Sequence, residues 1–209
     1  MIAILDYDAG NTKSVEKAVT YLGQQASLTR DREEILTCDR VILPGVGSFG
    51  DAMRRLKEYK LDQVICDVVE RGIPFLGICL GLQLLYESSE ESPGVAGLGL
   101  LKGSIRRIPE QEGLKIPHMG WNSLKIREGA RLFQGLEQGM YVYFVHSYYL
   151  KAEREEEVAA TTCYGTEIHA SVEKDNLFAC QFHPEKSSAA GLKILENFIS
   201  LESPVKEDC

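Results

Sequence analysis

The sequence predicts an α/β fold: a mostly parallel central sheet flanked by helices, with an antiparallel extension in the C-terminal half. Three observations predict it. In the first 90 residues short apolar runs alternate with stretches of helical periodicity, the pattern of strand–helix–parallel strand units. Beyond residue 100 the chain becomes a series of short strand-like segments joined by short turns. Between these halves an apolar run ends in Gly77-Ile78-Cys79-Leu80-Gly81 and passes directly into a helical pattern.

The elements follow in order. Residues 2–5 read as a strand, and 11–22 as a helix with Val15, Ala18, Val19 and Leu22 on one stripe. A short strand at 25–28 and a buried one at 40–43 precede helices at 48–58 and 62–70. Residues 74–78 form the strand that feeds Cys79. In the second half, 103–109, 121–126, 140–146, 157–163, 168–173 and 177–182 read as strands. A final helix, 188–201, carries Leu192, Leu195, Phe198 and Ile199 on one stripe, and the polar tail 202–209 is expected to be mobile. With no repeat or linker, residues 1–201 are expected to form a single domain. Ligands of such sheets collect beyond the carboxyl ends of the strands, where both Cys79 and Pro44-Gly45-Val46-Gly47 fall.

Composition narrows the function. A chain of 209 residues with 44% hydrophobic and 26% charged residues has the makeup of a globular protein. It can bury roughly 70% of its unfolded surface. The net charge of −8 argues against a nucleic-acid partner. No apolar run approaches the ~18–20 residues that span a bilayer, and residues 1–6 read as a strand rather than a leader. No membrane association and cytoplasmic residence are therefore expected. The six cysteines form no C-x-x-C pair and no zinc-like spacing, so neither metal nor cofactor is expected. Cys66, Cys163 and Cys180 read as packing residues, and Cys209 as an exposed one.

Cys79 is different, because Gly stands two residues before it and two after. A side chain on a sharp strand-to-helix turn lies against neighbouring backbone, where only Gly avoids a clash. The start of the following helix would favour the thiolate. A sulfur nucleophile needs a base, and His183 follows an apolar strand, with Glu185 two residues on to hold the imidazole tautomer. Either feature alone has an ordinary reading, a buried structural Cys or a surface His-Pro turn. Together they point to acyl transfer. The oxyanion donors would be the amide of Leu80 and a second from the 44–47 loop, at Val46 or Gly47.

Gly-Ile-Cys-Leu-Gly-Leu-Gln with a later Phe-His-Pro-Glu resembles the class I glutamine amidotransferases, with Cys79, His183 and Glu185 on the triad positions. Five further runs narrow this: Asp6-Tyr7-Asp8-Ala9-Gly10-Asn11, Pro44-Gly45-Val46-Gly47-Ser48-Phe49, Pro117-His118-Met119-Gly120-Trp121-Asn122, Val145-His146-Ser147-Tyr148 and His183-Pro184-Glu185-Lys186-Ser187. In this order they are similar to the glutaminase subunits of imidazole glycerol phosphate synthases.

The resemblance implies a flavodoxin-like core and hydrolysis of L-glutamine through a γ-glutamyl thioester at Cys79, with His183 as base and then acid. Glutamine contacts fall on Gln83, Glu91 and the backbone of Ser147 and Tyr148. Glu91 would pair with the α-ammonium group, and Glu90 is an adjacent rival for that role. The Val46 amide would turn inward only when a partner is engaged. That partner would be a (β/α)8-barrel cyclase, joined as a heterodimer. It receives ammonia through a channel and makes imidazole glycerol phosphate and AICAR in histidine biosynthesis. Interface positions are Asn11, Trp121, Tyr143 and Lys186, although the lone Trp121 fits a core position equally well. His118 and His146 belong to family motifs without a base role. Asp8 stands where the family pattern usually has Gly. Relatives that supply ammonia to sugar-modifying synthases share much of this pattern, so the acceptor stays open between the two.

Overall fold

Strand β1 (Ile2–Leu5) sets the architecture, because all four of its side chains are buried. Successive strand residues point to opposite faces, so a strand apolar at every position needs cover on both sides. Ala3 and Leu5 enter one core, and Ile2 and Ile4 the other. In a computed structural model of the chain, residues 1–8 and 11–201 are described; Ala9, Gly10 and the expected tail 202–209 lie outside them.

After β1 come α1 (Thr12–Tyr21), β2 (Ala26–Thr29), α2 (Arg32–Thr37), β3 (Arg40–Leu43), α3 (Phe49–Glu58) and α4 (Leu61–Glu70). Next are β4 (Phe75–Ile78), α5 (Leu80–Leu84), β5 (Ser88–Ser89), β6 (Gly103–Arg107), β7 (His118–Ser123) and β8 (Lys125–Ile126). The chain ends with β9 (Tyr141–His146), β10 (Tyr148–Ala152), β11 (Val158–Cys163), β12 (Glu167–Lys174), β13 (Leu177–Cys180) and α6 (Ser188–Ser200). The main sheet runs β2-β1-β3-β4-β13-β12-β11-β8. Its first five strands are parallel and the last three pair antiparallel, the expected parallel core with its extension. Two small sheets, β10-β6-β5 and β7-β9, stand beside it.

Helices α1 and α6 cover one face through Val15, Val19, Ile194, Leu195 and Phe198. Helices α3 and α4 cover the other through Phe49, Met53, Leu56, Val64, Ile65 and Val68. Burying a side chain such as Phe198 contributes about 1.5–3 kcal/mol. Among the described residues no helix is long and apolar enough to cross a membrane.

Several sequence expectations need correction. The helix α2 was missed because it is short and mostly polar, with only Ile35 and Leu36 buried. Its signal was Asp31, whose side chain accepts from the Glu34 amide at 2.9 Å as an N-cap. The strand expected over 121–126 starts earlier and is broken at buried Leu124, so β7 pairs β9 while β8 pairs β11. Strand β10 was also missed. Only Ser147 separates it from β9, yet β9 pairs β7 and β10 pairs β6, so the chain changes sheet at that residue. Strand β13 stops at Cys180, leaving Gln181 and Phe182 beyond its end. Cys180 is buried as expected, but Cys66 is only half-buried and Cys163 is exposed; Cys209 lies outside the described residues.

The two glycines around Cys79 are required by close approach. A Cβ on Gly81 would lie 2.0 Å from the Leu43 carbonyl oxygen, and one on Gly77 would lie 2.7 Å from the Gly81 carbonyl oxygen. Backbone cannot retreat as a flexible side chain can. Gly81→Ala is therefore expected to destabilise the chain by about 3 kcal/mol through forced overpacking, measured by urea unfolding.

Candidate active site

The carboxyl ends of β1, β3, β4 and β13, neighbours in the sheet, bring Tyr7, the 44–47 loop, Cys79 and residues 181–183 to one edge. Cys79 itself has φ +55° and ψ −108°, a conformation that L side chains rarely adopt. Such strain costs on the order of 1–3 kcal/mol and persists only where the surroundings enforce it. Here the Cys79 amide is tied to the Cys180 carbonyl at 2.8 Å, and the two glycines let the turn close. The helix that follows has five residues, too short for the sizeable dipole the sequence suggested.

His183 is fixed from two directions. Its amide donates to the Tyr143 carbonyl at 2.9 Å, and its carbonyl accepts from the Ser187 hydroxyl at 2.6 Å. The ring Nδ1 lies 2.8 Å from Glu185 Oε1, and the two side chains are 2% and 1% exposed. With the proton of Nδ1 held by the carboxylate, Nε2 is left for the sulfur, and this buried atom has no hydrogen-bond partner of good geometry. Burial by itself lowers the imidazole's affinity for a proton, but contact with the sulfur of Cys79 and with Glu185, together with their charges, outweighs it. The imidazole pKa is raised to about 9.

A cavity of about 350 Å³ opens over these groups, within the size range of small-molecule sites. Val46, Gly47, Cys79, Leu80, Gln83, Glu91, Ser147, Tyr148 and His183 all line it. The structure thus gathers every sequence-predicted residue of the triad, oxyanion and glutamine sets, with qualifications. The Leu80 amide, expected as an oxyanion donor, is not free: it donates to the Gly45 carbonyl over a long 3.4 Å. Val46 is 43% exposed and Gly47 has φ +102°, so the middle of this loop is the least packed part of the site. Its ends are anchored. The Tyr7 hydroxyl donates to the Pro44 carbonyl at 2.9 Å, and the Glu91 carboxylate accepts from the Phe49 amide at 2.7 Å.

Glu91, and not Glu90, lines the cavity; the exposed Glu90 accepts from the Arg107 amide instead. Gln83 turns its Nε2 toward the Tyr148 carbonyl at 3.0 Å and toward Gln181 Oε1 at 3.1 Å. Gln181, missed by sequence reasoning, is fully buried, and its Nε2 lies 3.8 Å from the Cys79 sulfur. The signal was its place directly after the apolar strand and two residues before His183, in the same loop that delivers the imidazole.

His118 and His146 are no bases. His146 Nδ1 donates to the Tyr148 carbonyl at 2.9 Å, so its Nε2 accepts from His118 Nδ1 at 3.0 Å. Burial lowers His146 to about 3 and His118 to about 4, which keeps both neutral near pH 7. His169 lies elsewhere, accepting from the Ala152 amide.

Of the proposed interface positions, Trp121 is 51% exposed and meets Tyr143 edge-on with ring centroids 6.2 Å apart, so it is not a core residue. Lys186 is exposed and Asn11 half-buried. Asp8 has φ +58°, the conformation Gly adopts readily and Asp tolerates. Its carboxylate pairs within the chain, with Arg30 at 2.7 Å and with the Tyr59 hydroxyl. Arg30 first, then Tyr59, holds its pKa below the usual carboxylate value.

Titration of His183 by NMR is expected to find the ring protonated up to about pH 9. In Glu185→Gln the imidazolium loses a neighbouring negative charge, so the midpoint must move down.

The family model of class I glutamine amidotransferases matches residues 3–201. Among curated proteins, the imidazole glycerol phosphate synthase subunit HisH of Methanocaldococcus jannaschii is 49% identical over 201 residues, 96% of this chain and 100% of that one. The protein of the same name from Moorella thermoacetica is 52% identical over 197 residues, 94% of this chain and 93% of its own. Among solved structures, one described as a glutamine amidotransferase has a TM-score of 0.74 at 21% identity, covering 95% of this chain and 96% of that one. PurLQS from Thermotoga maritima has a TM-score of 0.72 at 23% identity, with 95% and 96% covered. At these identities the structures speak for the fold alone.

Proposed function

The chain belongs to the class I glutamine amidotransferases, and from that premise we propose that it is the glutaminase subunit of an imidazole glycerol phosphate synthase, with Cys79, His183 and Glu185 as its catalytic residues. The observation that carries this reading is the strained Cys79 at the floor of a cavity, opposite an imidazole whose other nitrogen is held by a buried carboxylate. Residues 1–201 act as one amidotransferase domain.

The Cys79 sulfur adds to the carboxamide carbon of L-glutamine, and negative charge moves to the carbonyl oxygen. Leu80 and the 46–47 peptide supply donors to that oxygen, each worth about 2.7–4 kcal/mol of activation free energy. Protonated His183 gives its proton to the leaving nitrogen, ammonia departs, and a thioester remains. His183 then takes a proton from water, which attacks the thioester and releases glutamate. Glu91, already facing the cavity, meets the α-ammonium group, and the 147–148 backbone meets the other end of the amino acid. Because Glu91 also holds the first amide of α3, glutamine binding reaches the loop that carries Val46.

The partner is a (β/α)8-barrel cyclase that receives the ammonia without its passing through bulk water. It meets the face carrying Asn11, Trp121, Tyr143 and Lys186. Exposed Trp121, Met119 and Tyr141 supply apolar area there. Tyr143 joins that face to the catalytic loop, since its carbonyl accepts from the His183 amide and its amide donates to Ser187.

In the assembled complex, Cys79→Ala is expected to abolish glutamine-dependent product formation while sparing ammonia-dependent formation. Equal glutamine-dependent rates in variant and parent would refute the nucleophile assignment. Glutamate release by the parent should rise strongly when the cyclase is added, and a different acceptor enzyme producing that rise would refute the partner. Trp121→Ala is expected to weaken the complex by about 2 kcal/mol, roughly 30-fold in Kd by titration calorimetry.

A further inference from the structure

Two carboxamides beside the sulfur have their orientation settled by an atom that cannot be misassigned. The Tyr148 backbone oxygen can only accept, so the Gln83 side-chain atom 3.0 Å from it is the amide nitrogen. That nitrogen also lies 3.1 Å from a Gln181 side-chain atom, which must then be the acceptor, Oε1. The other end of the Gln181 amide, its NH2, is left facing Cys79 at 3.8 Å, within hydrogen-bond range for sulfur. Gln181 is 0% exposed and Gln83 is 5% exposed, so water does not compete with either contact.

We propose that Gln181 is a fourth member of the catalytic set, a buried N–H donor that holds the Cys79 sulfur as the attacking thiolate, with its orientation locked by Gln83. The inference rests on the reading of Cys79 as the nucleophile. Another polar group close to the sulfur is the backbone carbonyl of Val145 at 4.0 Å, an acceptor to which only the protonated thiol can donate. Donor and acceptor thus flank the sulfur, and each favours a different protonation state. The donor is the nearer one. The ionisable groups that face the sulfur are His183, backed by Glu185, from the loop after β13; Cys180 on β13; and Tyr7 at the end of β1. Only His183 offers positive charge. Burial and the neighbouring Cys79 both push Tyr7 up, and burial pushes Cys180 up, so both stay neutral.

A further consequence concerns Gln83. Both hydrogens of its amide are committed, to Tyr148 and to Gln181. Only its carbonyl oxygen is left for glutamine, so Gln83 accepts from a substrate N–H and does not donate to a substrate oxygen. Gln83 therefore orients Gln181 and can touch substrate at the same time.

The test is the rate of Cys79 alkylation by iodoacetamide as a function of pH, located on the Cys79 peptide by mass spectrometry, in the full chain. Gln181→Met keeps the bulk and removes the donor. Its labelling midpoint is expected to rise by about one pH unit, giving roughly tenfold slower labelling on the acid side of the parent's midpoint, with the parent's rate recovered at high pH. Gln181→Glu is expected to raise the midpoint at least as far, because it sets a negative charge beside the sulfur. If Gln181→Met does not fold, as judged by circular dichroism, Gln83→Met decides, with a smaller rise expected from the loss of the orienting donor. A midpoint equal to or below the parent's in the folded variants overturns the proposal, as does a lower plateau with an unmoved midpoint, the mark of a merely structural role. If instead the parent's Cys79 labels no faster than Cys66 at any pH, the nucleophile reading itself fails and takes the proposal with it.

Discussion

The contact of the Gly81 backbone with the Leu43 carbonyl is the constraint on which the rest of the site depends. With only 2.0 Å available to a Cβ, helix α5 can pack down on the end of β3 only where its residue is Gly. That close approach forces the chain to leave β4 and enter α5 through a single residue at positive φ, which is Cys79. The sulfur is thereby lifted to the edge where β3, β4 and β13 deliver their loops. Its neighbours arrive in turn: the Gly45 carbonyl at the Leu80 amide, and the Cys180 carbonyl at the Cys79 amide. Strain at Cys79 is balanced by two well-packed cores, one on each face of the sheet.

Charge is distributed around that sulfur with economy. Among the described residues His183 supplies the positive charge facing it, and Glu185 sustains that charge from behind. Apart from the Glu91 carboxylate on the cavity wall, the polar groups around the sulfur include two carboxamides, two imidazoles held neutral by burial and one tyrosine. Neutral donors adjust the sulfur's protonation without adding further buried charges, each of which would carry its own desolvation cost. The Tyr148 carbonyl is the junction of this network, because it receives both Gln83 and His146. His118 in turn lies against Asn122 on β7, the strand that also carries Trp121. The face that would meet a partner and the substrate cavity thus share buried hydrogen bonds as well as the backbone link between Tyr143 and His183.

Much of this was legible in the sequence, and the reason differs from place to place. Strand β1, helix α1, strand β3 and helices α3 and α4 were readable within about a residue, since their apolar periodicity repeats over enough positions to exceed the noise. Helix α2 and strand β10 were not. The first is short and carries a cap but little apolar periodicity; the second begins one residue after β9, with no turn signal beyond the expected strand 140–146 to mark a new element. Cys163 looked like a packing residue because its neighbours are apolar or β-branched, yet it ends β11 on the exposed side. A local window contains no information about which side of a strand's end faces water.

The sequence by itself determined the class of chemistry: a sulfur between two glycines on a strand–helix turn, and a His-Pro-Glu loop after a later strand, are local patterns whose meaning does not depend on distant residues. Only the tertiary structure decided which groups surround the sulfur. Gln181, Gln83 and Tyr148 are far apart along the chain, and what each does to Cys79 follows from hydrogen-bond direction between the loop after β13, α5 and β10. The same is true of the choice of Glu91 over Glu90, of the Leu80 amide being engaged by Gly45, and of Asp8 being neutralised by Arg30. Periodicity and spacing report which residues can share a face; they do not report which donor meets which acceptor, because that is fixed only when the strands have taken their places in the sheet.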